Sequence, residues 1–309
     1  LYARFWHKVL FDLGHVSSNE PYRRLYHQGL ILSHAYQRAD RTLVPIDEVD
    51  ERDDGTFAER ATGAEVAQIV AKMSKSLRNV VNPDDVIAEF GADTFRLYEM
   101  YMGPLDQQKP WDTRAIGGMF RFLRDLWRLA IDEATGEVRL AGEADAGLEK
   151  RLHRTIEKVG ADIDRLAFNT AIASMIEFKN AAQAVEKSRG GGAALSASQL
   201  DRLMRVAAPF APHLAEEVWH RAGLRGERGS VHAQSWPEVD PGMLVDDEIE
   251  LPVQIMGKVR ARVMVPADAD TDRLREAALA DSRVAELLDG KTVRKVIAVP
   301  GRMVNIVTG

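Results

Sequence analysis

Cysteine is absent from the 309-residue chain. No disulfide can staple the fold and no thiolate can ligate zinc, which fits a reducing cytoplasm. No run of about 18 apolar residues occurs, so no helix is expected to span a membrane. The opening LYARFWHKVLFDLG lacks the basic start, apolar stretch and small-residue cleavage site of a secretory signal. It also lacks an initiator Met and enters in the middle of an apolar period, which reads as a cut through a longer polypeptide. No large excess of one charge exists: the net value is −6 at pH 7. That argues against a chain that coats nucleic acid indiscriminately, while leaving local basic stripes free to meet phosphates. What is present, 45% hydrophobic and 28% charged residues, is the composition of a globular protein. The length implies two or three domains.

Three textures follow one another. Residues 1–103 mix short apolar runs with turns: Gly29–Leu32 reads as a buried strand and Arg52–Gly55 as a hairpin turn. Asn82 reads as an N-cap with Pro83 at the first helical position; Gly91 ends that helix and Asp93 is placed to cap the next. Residues 104–236 are helical by period. One stripe runs through Ile116, Met119, Phe120, Leu123, Leu126, Trp127 and Ala130, a second from Leu148 to Leu166, a third from Ala171 to Val185. Ser196 or Ser198 can cap a fourth helix, and Pro209 and Pro212 interrupt before a last one in which His213 and Trp219 read as packing residues. Together these form a bundle. Residues 237–250, rich in Pro and acid, read as a linker. Residues 251–309 read as strand pair, helix and strands, a small α+β domain. The class is therefore multidomain: α/β, then all-α, then α+β.

The string Lys72-Met73-Ser74-Lys75-Ser76 carries the chemistry. Two ammonium groups on a short Ser-containing loop can face a polyphosphate and stabilise charge that grows on pyrophosphate when the α-phosphate is attacked. A solvated basic loop is the plain alternative for a lone KxxK. In the last region Lys258, Arg260 and Arg262 recur at period two between Val259, Ala261 and Val263, which would put cations on one strand face and apolar residues on the other. Lys291, Arg294, Lys295 and Arg302 share that domain. In the bundle, Arg121, Arg124 and Arg128 lie at helical spacing on a polar face, and Arg151, Arg154 and Lys158 could serve similarly, although such charges often simply solvate a helix.

KMSKS is the second signature of class I aminoacyl-tRNA synthetases. AKMSKSLRNVVNPDDVIAEFGADTFRLYEMYMGPLDQQKPW resembles the leucyl, bacterial-type members, as do LYARFWHKVLFDLG and YHQGLILSHAYQ upstream. FNTAIASMIEFKN and APFAPHLAEEVW are similar to the anticodon-binding bundle shared with the valyl and isoleucyl enzymes. GKVRARVMVP and DGKTVRKVIAVPGRMVNIV are similar to the leucyl C-terminal domain. The resemblance implies a partial Rossmann-type catalytic segment over 1–103, an anticodon-binding domain over 104–236 and a tRNA-binding domain over 251–309. It implies activation of leucine with ATP and Mg²⁺ and transfer to tRNA(Leu), with no protein-bound metal here. Lys75 is then the phosphate contact, Lys72 its support, Met73 the loop's packing residue and Ser74 its hydroxyl anchor. Gly29, Leu30 and Ile31 lie near the adenine, a role that ordinary strand core would equally explain. The cations at 258, 260, 262, 291, 294, 295 and 302, and at 121, 124 and 128, become tRNA contacts.

Two departures stand out. Leu77-Arg78-Asn79 follows the motif where many members have Lys–Gly or Lys–Asn, so a stiffer loop is expected. Met256 precedes Gly257 where Asn is common, so a hydrogen bond is expected to be missing. No HIGH-type signature and no editing domain occur in these residues, so the segment alone is expected to be inactive, its N-terminal catalytic half lying elsewhere. A stand-alone tRNA-binding subunit of a split synthetase, or a valyl- or isoleucyl-type segment, are the alternatives.

Overall fold

In the computed structural model, which describes residues 1–224, 229–245, 248–267 and 269–309, the chain divides into two compact units, Leu1–Glu238 and Val239–Gly309. The first begins with helix α1 (Tyr2–Asp12), which buries none of its residues. Its Arg4 and Lys8 pair with Glu20 at 2.6 and 3.2 Å, while Tyr2, Phe5 and Trp6 stand in solvent.

Short polar turns then set the sheet. Strand β1 (Ile31–Gln37) returns through Asp40, whose carboxylate accepts from the Thr42 amide at 2.8 Å, into β2 (Leu43–Val44). The expected Arg52–Gly55 turn joins β3 (Val49–Glu51) to β4 (Phe57–Glu59), closed by Gly55 N donating to Arg52 O at 2.9 Å. Strand β5 (Glu65–Lys72) completes the order β2-β1-β5-β4-β3. Tyr36, Val44 and Val66 form its core, with the Phe57 ring tilted against Tyr36, centroids 4.9 Å apart. Turns this short permit only antiparallel neighbours. In this sheet parallel pairing comes where helices intervene. Helices α2 (Pro83–Phe90) and α3 (Ala92–Tyr101) carry the chain to β6 (Lys109–Pro110), which pairs with β1 in parallel.

The strand expected at Gly29–Leu32 starts later. Ser33, Ala35 and Tyr36 are its buried residues, and Leu30 is 45% exposed. The cap at Asn82 forms as expected, its Oδ1 accepting from Asp84 N at 3.2 Å, with Pro83 at the first helical position. Asp93 does not cap its own helix. Buried, it accepts from the Leu214 amide at 2.8 Å and from His213 Nδ1 at 2.8 Å, capping a helix 120 positions later in sequence. His213 is accordingly not a packing residue; its side chain is 76% exposed.

The bundle contains α4 (Ile116–Ala130), α5 (Ala146–Asp164), α6 (Phe168–Ser188), α7 (Ala197–Ala207) and α8 (Pro212–Arg221). Each buried Leu or Ile on the stripes, such as Leu126, Leu152, Ile156 and Ile172, contributes about 1.5–3 kcal/mol on leaving water. Ser196 and Gln199 form a reciprocal capping box at the start of α7. Trp219 is buried, and its indole N–H donates to Asp201 at 2.8 Å. The stripes deviate in places. Phe122 takes the buried position and Phe120 lies outside against Phe90. Leu166 falls past the end of α5 with φ 59°. Lys179 is buried on α6, its ammonium 3.1 Å from Asp125 of α4.

In the second unit, β7 (Glu248–Ile255) and β8 (Lys258–Pro266) form a hairpin. Helices α9 (Thr271–Ala280) and α10 (Ser282–Leu288) follow, then β9 (Val293–Val299) and β10 (Met303–Thr308), giving sheet order β8-β7-β10-β9. Leu251, Val253, Val265, Val304 and Ile306 of the sheet pack with Leu274, Ala278 and Val284 of the helices. Residues 248–250 of the expected linker belong to β7, Pro241–Leu244 make a 3₁₀ turn, and Asp246 and Asp247 lie outside the described residues.

Candidate functional site

Strand β5 ends opposite β1: Lys72 pairs with Leu32, and the chain then leaves the sheet as the Met73–Ser76 loop. Lys72 and Lys75 are exposed, and Met73 and Ser74 are half-buried. The Ser74 hydroxyl lies 3.1 Å from that of Ser76 and accepts from the Leu77 amide at 3.3 Å, so one side chain folds the turn on itself. The loop is tied to the sheet by Asn79, which accepts from Ser74 N at 2.9 Å and donates to His34 O at 3.1 Å. Arg78 has φ 51° and pairs with Asp47 at 2.5 Å.

Gly29 and Leu30 serve a neighbouring segment rather than this loop. Gly29 N donates to Leu105 O at 2.8 Å, and a Cβ there would lie 2.0 Å from Gln107 O, so only glycine fits. Leu30 O accepts from Lys109 N at 3.1 Å, and Ile31 pairs with Lys109. Trp111 N donates to Leu32 O at 2.8 Å, while the Trp111 ring is buried edge-on against Tyr98 at 4.9 Å. The structure thus brings Lys72, Leu32 and Ile31 together at one end of the sheet and sets Gly29 and Leu30 beside the 105–109 backbone. Lys109 was not singled out in the sequence. Its ammonium donates to Gly103 O at 2.7 Å, and burial pulls its pKa below the ordinary lysine value. Among the described residues no group of three His, Cys, Asp or Glu is placed to hold a metal ion.

On α4, Arg121, Arg124 and Arg128 are exposed on one face, as their spacing implies. Arg128 pairs with Glu133 at 2.6 Å, and Arg124 borders a cleft of about 280 Å³ with Phe90, Phe120 and Trp127. Arg221 lies over the Trp127 ring at 5.2 Å, a cation–π contact.

In the second unit the strict alternation expected of Lys258, Arg260 and Arg262 does not hold. Val253 pairs with Ala261 but Gln254 pairs with Val259, so Arg260 is an extra, unpaired bulge residue. The bulge shifts the phase: Ala261, Val263 and Val265 face the core, but Val259 is 53% exposed. Arg262, opposite Pro252, already pairs with Glu250 at 2.6 Å. Arg260 and Arg262 share a shallow concavity with Arg283. Arg294 and Lys295 lie on β9, the opposite edge of the sheet, and Arg302 lies in the β9–β10 turn at the far end from Lys258. Lys291 donates to Leu287 O at 2.8 Å at the end of α10. The cations therefore form two edges, not one patch. At the β7–β8 turn Met256 and Gly257 both have positive φ, 53° and 77°. The polar partner expected to be missing there is supplied from β10: Asn305 Oδ1 accepts from Gly257 N at 3.2 Å.

Two family descriptions match the chain: "Anticodon-binding domain of tRNA ligase" over residues 145–275 and "tRNA synthetases class I (I, L, M and V)" over residues 62–110. Leucine–tRNA ligase of Saccharopolyspora erythraea is 48% identical over 308 residues, covering 99% of this chain and 31% of that protein. The ligase of Nocardia farcinica is 49% identical over 310 residues, covering 99% and 32%. The crystal structure of an Agrobacterium radiobacter LeuRS–tRNA–LeuAMS ternary complex superposes with a TM-score of 0.63 at 28% identity, over 100% of this chain and 36% of that one. The chain thus spans about a third of the length of the curated relatives it matches. Along its whole length the chain is homologous to the C-terminal 31% of leucine–tRNA ligases.

Proposed function

We propose that the chain is the part of a cytoplasmic leucine–tRNA ligase that supplies the KMSKS loop and surfaces for tRNA(Leu). The whole protein activates leucine with ATP and transfers it to the tRNA. In activation, a leucine carboxylate oxygen bonds to the α-phosphorus, the bond to the bridging oxygen breaks, and pyrophosphate leaves with the electron pair. Lys75, supported by Lys72, stabilises the negative charge that collects on that leaving group. The observation that carries this reading is the exposure of both lysines on a hydroxyl-folded loop at the end of β5, in a chain 48% identical to leucine–tRNA ligases. Met73 packs the loop, Ser74 shapes it, and Ile31 with Gly29 and Leu30 forms the adjoining wall towards the adenine. Mg²⁺ would travel with the phosphates. The loop itself offers ammonium and hydroxyl groups rather than carboxylates, so no step here runs through that ion.

Residues 1–103 act as catalytic segment, 104–236 as anticodon-binding bundle, 237–250 as connection and 251–309 as tRNA-binding domain. Arg121, Arg124 and Arg128, with Lys258, Arg260, Arg262, Lys291, Arg294, Lys295 and Arg302, meet the tRNA backbone. The apolar face of α1 docks on the catalytic portion that the relatives carry beyond the matched stretch, and without that portion the segment is inactive. The test is Lys75→Ala in the complete enzyme. Leucine-dependent ATP–pyrophosphate exchange should fall by on the order of 10²-fold with tRNA affinity nearly unchanged, and unchanged exchange would remove Lys75 from the chemistry.

A further inference from the structure

We propose that Asn79, assisted by the Arg78–Asp47 pair, is a positioning clamp that holds the Lys72–Ser76 loop in register with strand β1; this rests on the loop's proposed role in leucine activation. Asn79 is 4% exposed and spends both ends of its amide on the clamp. Its oxygen accepts from Ser74 N at 2.9 Å and its nitrogen donates to His34 O at 3.1 Å. The amide cannot be reversed, because that would set donor against donor and acceptor against acceptor.

The outer anchor is Arg78. It accepts a left-handed φ of 51°, a conformation that disfavours a side-chain-bearing residue, and its guanidinium meets Asp47 at 2.5 Å. The turn carrying Asp47 is bound to the same segment through Ile46 N donating to Leu77 O at 3.0 Å. Inside the loop two of the bonds are longer, Leu77 N to Ser74 Oγ and Arg78 N to Lys75 O at 3.3 Å each, beside the Ser74–Ser76 hydroxyl contact at 3.1 Å. The base of the loop also adjoins a cavity of about 310 Å³ bordered by His34, Arg78, Asn79 and Trp111. His34 Nδ1 is buried with no hydrogen-bond partner among the described residues. Packing on that side therefore does not fix the loop, and the two anchors do. A cation that must meet developing charge within a fraction of an ångström gains from such fixing. Asn79 and Arg78 touch no reacting atom; they act through Ser74 and Leu77 on Lys75.

The test has two arms. In the 309-residue chain, amide hydrogen exchange is measured for parent, Asn79→Ala, Asn79→Asp and Arg78→Gly. In the complete enzyme, ATP–pyrophosphate exchange is measured for the same variants. Asn79→Ala should speed exchange of the Ser74 amide by about 10-fold or more while the β1–β5 amides keep their protection. It should lower kcat by about 10-fold with KM for leucine unchanged. Asn79→Asp keeps the acceptor for Ser74 but turns an acceptor towards His34 O, so it should not rescue kcat. Arg78→Gly, an exposed change that leaves the inner anchor intact, should lower kcat a few-fold and make it less sensitive to salt, because the lost pair is screened by ions. Unchanged Ser74 exchange, full rescue by Asn79→Asp, or kcat losses that follow only a fall in unfolding temperature would overturn the clamp. Should Asn79→Ala fail to fold, Arg78→Gly decides: kcat and salt response equal to the parent's would overturn it. A parent without leucine-dependent exchange activity would instead refute the proposed function, and the hydrogen-exchange arm would still judge the clamp.

Discussion

The Arg262–Glu250 pair yields a prediction that runs against simple charge removal at a nucleic-acid surface. Arg262 Nη1 and Glu250 Oε2 are 2.6 Å apart across β7 and β8, with side chains 66% and 50% exposed. A pair so open to water is worth about 0.2–1 kcal/mol, and that is what Arg262 gives up before it can turn to a phosphate. Glu250→Gln removes this competitor while keeping shape. If Arg262 contacts the tRNA backbone, affinity should rise about 1.4- to 5-fold, the same free energy expressed as a ratio. The plot of log K against log salt should also steepen, by no more than about 0.7–0.9 for one added phosphate contact. Loss of a negative charge near RNA would raise affinity a little by itself, so the assay needs a cycle: tRNA titrations at several salt concentrations for the parent, Glu250→Gln, Arg262→Ala and the double variant. The gain should vanish in the Arg262→Ala background. An equal gain with and without Arg262, or none at all, would refute the reasoning and leave the pair as solvated surface.

Three further outcomes follow from the geometry. Met256→Asn should stabilise the Val239–Gly309 unit by about 1 kcal/mol, since Asn adopts φ near 53° at lower cost than Met; a thermal midpoint that does not rise would show that the turn carries no strain. Lys179→Ala leaves the partly buried Asp125 without the ammonium 3.1 Å away and should cost about 1–3 kcal/mol in denaturant unfolding, while Lys158→Ala at the exposed end of its pair should cost less. Acid should weaken the bundle through Asp162 and Glu149. Burial pushes both carboxyls up, but bonds from Lys158, Thr170 and Arg165 to Asp162, and from Arg202 and Gln199 to Glu149, outweigh it and hold both below the ordinary range. The unfolded chain therefore binds protons first as pH falls, so this stability is present above about pH 4 and is lost as pH drops through the folded values. Unfolding midpoints from pH 7 to pH 2 should fall less steeply for Asp162→Asn than for the parent.

What could be read from the sequence follows how far each signal reaches along the chain. The helices α4 to α8 were legible because their stripes repeat every turn, and the caps at Asn82 and Ser196 act on amides two or three positions away. Partners distant in sequence were not legible. Asp93 sits where a local cap belongs, yet it serves a helix start 120 positions on. Lys179 looks like a polar interruption of a stripe until Asp125, 54 positions earlier, is folded against it. Strand alternation failed for a different reason. One bulge residue at Arg260 reverses the phase of everything before it, and no composition signal marks a bulge that lacks glycine. The site repeats the contrast. Lys72 to Ser76 are legible as a contiguous string, but the residue that seats the string is Asn79, and its second partner is a backbone carbonyl 45 positions upstream. A carbonyl has no residue identity, so no motif can encode it. The string names the charges that would do the chemistry; where those charges point depends on a strand that carries no part of the motif.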